Sequence, residues 1–122
     1  MNVEWCLEAK RQFLASLKGI PTILQVFLKE EKFFLLSEVV LQWIEDLALY
    51  VTSEIPHHSV IQTCRNLGIS FTPEEEMFLR RMEKASRKEE SYREFVQNHQ
   101  QREYFFSLIQ KIESCQQKFL RQ

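Results

Sequence analysis

Apolar residues recur every three or four positions over most of this chain, the spacing that lines them up on one face of an α-helix. The first run, about Val3 to Lys18, carries Val3, Cys6, Leu7, Phe13, Leu14 and Leu17. Glu4 and Glu8 near its start and Lys18 at its end suit the two poles of a helix dipole. Gly19 followed by Pro21 reads as a stop. Thr22-Ile23-Leu24-Gln25 then has the form of a capping box and opens a second helix. Lys29-Glu30-Glu31-Lys32 interrupts the apolar pattern, as a turn between two helices or an exposed face on one long helix would, and the favoured expectation is a break or kink between Lys29 and Ser37.

From Phe34 to Thr52 the chain is apolar on most of its circumference, which predicts a central helix surrounded by the others. Pro56 closes this region, because the residue before a proline is pushed out of the α basin. Ser59-Val60-Ile61-Gln62 predicts a short helix ending at Asn66-Leu67-Gly68. Thr72-Pro73-Glu74-Glu75 is the sharpest local signal, with Thr72 as N-cap, Pro73 at the first helical position and Glu75 closing the box. Beyond Pro73 there is no glycine or proline up to Gln122. A single helix over those residues would span about 75 Å. The pattern therefore predicts either a break near Ser86–Ser91 or a long helix packed in an oligomer.

Composition narrows the fold class. Two glycines and three prolines in 122 residues leave too few turn formers for a sandwich or barrel. The expectation is one all-α domain over residues 1–122, a bundle of about five helices. Its central apolar helix covers about 34–52, and a long helical segment covers about 73–121. Phe33 to Val51 is apolar enough to raise the question of a membrane span. Glu38, Glu45 and Asp46 argue against it, since a central carboxylate costs about 2.5–3.5 kcal/mol on insertion scales.

Formal net charge is −1, so no global field attracts nucleic acid or an anionic membrane. Cys6, Cys64 and Cys115 are odd in number and far apart, unlike a disulfide framework, and predict buried, reduced thiols. The first residues lack the basic and apolar stretches of a secretory leader, so the expected compartment is the cytoplasm.

Chemistry-bearing patterns are sparse. Arg80, Arg81, Lys84, Arg87 and Lys88 form a basic stripe that could meet phosphates. Glu83, Glu89, Glu90 and Glu94 balance it, and a nucleic-acid partner is the lesser expectation. The stretch from Cys64 to Arg80 has the outline of a helix-turn-helix, but Glu74, Glu75 and Glu76 would repel the DNA backbone from the second helix. His57, His58 and His99 show no paired ligand spacing, and no phosphate loop or nucleophile elbow is present. No cofactor, metal or catalytic residue is predicted. Ten phenylalanines, two tryptophans and three tyrosines are many for a helical domain of this size. Tyr104-Phe105-Phe106 spans a wide arc of a helix, more than a core need cover. The expectation is thus a non-catalytic interaction module, an adaptor, chaperone-like or assembly protein. It would bind another protein or a second copy, with Trp5, Tyr104, Phe105 and Phe106 as contact residues.

Overall fold

The computed structural model describes residues 4–87 and 101–120. Five helices lie within them: α1 (Leu7–Lys29), α2 (Phe33–Thr52), α3 (Val60–Asn66), α4 (Pro73–Ser86) and α5 (Gln101–Leu120). The all-α bundle expected from the periodicity is what forms, but the chain is divided differently. Gly19 does not stop a helix and Thr22 does not start one: α1 runs through both, with Pro21 in its interior. The C-terminal half does break, because α4 ends at Ser86 with Arg87 as its cap and α5 is a separate helix.

The continuity of α1 has a tertiary cause. Proline removes the amide that would bond the carbonyl four residues earlier, here Leu17. That carbonyl instead accepts a hydrogen bond from Gln116 Nε2 of α5 at 3.0 Å. Leu17, Pro21, Leu24 and Leu28 are all buried on one face of α1, so the apolar stripe that drives packing crosses the proline without interruption.

Local chemistry sets the other boundaries. The turn from α1 to α2 places Glu31 at φ 56°, and the Lys32 amide reaches back to the Phe27 carbonyl at 2.9 Å. The α3 helix starts at Ser59, whose hydroxyl accepts from the Gln62 amide at 3.2 Å. It ends in a Schellman turn: Gly68 takes φ 83°, and the Ile69 amide reaches the Cys64 carbonyl at 3.0 Å. The Thr72/Glu75 box forms reciprocally with Pro73 just inside the helix.

The α2 helix packs against each of the other four. Leu36, Val40, Trp43, Ile44 and Leu47 are fully buried, which places the core where the sequence put it. It is not surrounded, however. Glu38, Gln42 and Glu45 face solvent, and Phe34 and Leu35 at its first turn are exposed. The buried side chains of all five helices form one continuous cluster. Trp43 donates through Nε1 to Gln116 Oε1 at 2.7 Å, so one buried amide ties α5 to both α1 and α2.

Candidate functional site

The four expected contact residues do not make one surface. Phe105 is fully buried. It stacks on Phe33 at 5.9 Å and meets Phe78 edge-on at 5.0 Å. It is therefore a core residue and leaves the contact set. Its neighbours in sequence leave α5 in different directions, as 100° per residue requires. Tyr104 is half-buried and packs on Phe78 of α4, with ring centroids 5.2 Å apart. Phe106 is 46% exposed and lies one turn from Arg102, whose guanidinium pairs with Glu31 at 3.1 Å. Trp5 is half-buried against Phe13 at 5.1 Å, at the start of α1. The α1 and α5 helices run antiparallel, with Glu31 beside Arg102 and Leu17 beside Gln116. That puts Trp5 at the opposite end of the bundle from Tyr104.

What replaces the set is a groove between α4 and α5. Pro73, Glu74, Met77, Phe78, Arg81 and Tyr104 line it, around a volume of about 180 Å3. Met77 is 64% exposed and is the residue sequence reasoning overlooked. Its place in the sequence, one residue after three glutamates and one before a core phenylalanine, gave no signal of its own. Glu74 stands exposed at one end. Methionine suits such a surface because its side chain is flexible and polarisable.

The wall opposite Tyr104 is held by Glu75. Its carboxylate is buried and accepts from the Thr72 amide at 2.8 Å, from Ser107 Oγ and from the Lys111 ammonium. Burial pushes its pKa up. The bonds from Lys111, Ser107 and Thr72 and the Lys111 charge outweigh that and hold it at about 2. One residue thus caps α4 and fastens it to α5.

The basic stripe is only partly available. Arg80 and Lys84 are exposed and one turn apart, Arg81 is half-buried, and Arg87 pairs with Glu83 at 3.5 Å. Lys88 and His99 lie outside the described residues. His57 and His58 are exposed, with rings 4.3 Å apart. No group of three or more His, Cys, Asp or Glu that could hold a metal occurs among the described residues. Among those residues no helix is long and apolar enough to cross a membrane.

The cysteines differ from expectation at one position. Cys64 and Cys115 are buried, but Cys6 is exposed and serves as the N-cap of α1, its Sγ accepting from the Ala9 amide at 3.4 Å. Burial lifts the Cys64 thiol to about 12, with the Cys115 charge adding to the rise. Burial also raises Cys115, against a lowering by Lys118. A disulfide reagent at pH 8 is expected to titrate Cys6 quickly, and Cys64 and Cys115 only after a denaturant is added. Three thiols reacting at one rate in the native protein would contradict this packing.

No protein-family model, no curated protein and no solved structure matches the chain.

Proposed function

We propose that the chain is a non-catalytic protein-interaction module whose binding surface is the α4–α5 groove. The supporting observation is Met77, a large apolar side chain left mostly in water beside Pro73, Phe78 and Tyr104. Covering it and the exposed edge of Tyr104 would stabilise a complex in proportion to the apolar area removed from water, about 25 cal/mol per Å2. The groove is too small and open to enclose a substrate. The partner is an apolar segment of another protein carrying a cation that meets Glu74.

Panning a displayed peptide library against the intact chain tests this reading. The expected binders carry an aromatic or aliphatic anchor beside a lysine or arginine. Their affinity falls roughly tenfold or more in Met77→Glu and in Tyr104→Ala. Both positions are at least partly exposed, so the circular-dichroism spectrum stays helical. Enriched peptides that bind both variants as tightly as the parent, or no enrichment at all, would sink the proposal.

A further inference from the structure

The largest cleft among those described lies elsewhere, between the α3–α4 turn and the C-terminal half of α5, with a volume of about 730 Å3. One wall is Leu67, Gly68, Ile69 and Ser70, and the facing helix contributes Lys111, Ser114, Cys115, Lys118 and Phe119. Its geometry is fixed by contacts the fold already makes. Gly68 at φ 83° turns the chain so that Ile69 tucks inward. Cys115 Sγ donates to the Leu67 carbonyl at 3.5 Å, and the Lys111 ammonium lies 5.7 Å from the Phe71 ring centre. The α5 residues recur at steps of three and four, so they share one helical face.

The charge around this cleft is one-sided. Among the described residues two lysines line it and no carboxylate does, although the chain as a whole is slightly acidic. Lys111 is committed to Glu75. Lys118 has no ion-pair partner among the described residues and is exposed. The buried Leu67, Ile69 and Cys115 and the half-buried Phe119 line the same cleft. A volume of this size falls within the range of ligand sites, in which a few convergent polar groups orient a mainly apolar ligand. The cleft is partly open to solvent. A free acyl chain would leave much of its length in water there. The end of a peptide would bring one side chain and one carboxylate and leave its backbone solvated.

We propose that this cleft binds the free C-terminal carboxylate of a partner protein whose last residue is apolar, the carboxylate meeting Lys118 and the last side chain resting on Ile69 and Phe119. The binding mode is the capture of a chain end by charge together with a small apolar seat. It goes beyond the α4–α5 groove and does not depend on it, because no described residue lines both.

An array of pentapeptides with free C-termini, varied at the last two positions and probed with the labelled intact chain, tests it. A matched array of C-terminal amides and a solution of decanoate are the controls. The expected result is a set of binders ending in Leu, Ile, Val, Met or Phe, lost on amidation and weakened by added salt. Lys118→Glu reduces binding roughly tenfold or more. Phe119→Ala weakens it by a smaller factor, while Met77→Glu leaves it unchanged and so separates this site from the groove. An array with no binders, amides that bind equally, or full affinity in Lys118→Glu would overturn the proposal. So would Lys118-dependent binding of decanoate with no bound peptide, which would assign the cleft to a small amphiphile.

Discussion

Replacing Gln116 with alanine is expected to destabilise the protein by about 3–4 kcal/mol, a fall in Tm of roughly 12 °C for a chain of this length. The side chain is buried and does two things at once. It accepts from Trp43 Nε1 at 2.7 Å and donates to the Leu17 carbonyl at 3.0 Å. Truncation strands both groups away from water, and each unsatisfied buried group costs about 1–3 kcal/mol. A cavity next to Trp43 adds to the loss. Gln116→Met fills most of that cavity yet restores neither bond, so about 2–3 kcal/mol of the effect should persist in it. A second substitution tests the cause. Pro21→Ala returns to α1 the amide that the proline lacks and gives the Leu17 carbonyl its ordinary helical partner. It is therefore expected to recover more stability in the Gln116→Ala background than it adds to the parent. Chemical denaturation of the four proteins measures this coupling. Strictly additive effects would mean that Gln116 is not compensating for the proline.

Glu75→Ala is expected to cost about 2–4 kcal/mol at neutral pH, since it removes a reciprocal cap and two bonds to a buried charge. The same residue predicts a pH dependence with a definite sign. Its folded-state pKa of about 2 lies below the ordinary 4.5. The carboxylate therefore contributes its full stabilisation above pH 4.5 and loses it as the pH falls towards 2. The shift corresponds to roughly 2–3 kcal/mol after a reduction for the partial exposure of Lys111. Other carboxylates titrate in the same window, so the informative quantity is a difference. The stability gap between the parent and Glu75→Gln should be widest near pH 6 and close between pH 4.5 and 2. Parallel curves across that range would show that the ion pair with Lys111 does not form in solution.

The boundaries legible in the sequence were those set by neighbouring residues. Thr72, Pro73 and Glu75 act over three positions, and so do Ser59 and the turn at Gly68; each forms where it was read. The helical period and the mostly apolar stretch from Phe34 to Thr52 likewise placed the core on α2. Gly19 and Pro21 gave the opposite result. Read locally they end a helix, but the group that satisfies Leu17 comes from Gln116, 99 positions away. Neither the propensity of proline nor the spacing of apolar residues contains that information.

The candidate sites divide in the same way. A run such as Tyr104-Phe105-Phe106 announces that a helix is apolar over a wide arc. It does not say which part of the arc its neighbours cover. Packing decided that: α2 and α4 enclose Phe105, α4 half-covers Tyr104, and Phe106 stays at an edge. Met77 and Lys118 were ordinary positions in the sequence and became candidates only once a second helix or turn stood opposite them. Caps and turns are set by contacts within a few residues, so the chain read in order could fix those helix ends, though not the continuity of α1 through Pro21. Exposure is a property of surfaces brought together from distant parts of that chain, and only their assembly could decide it.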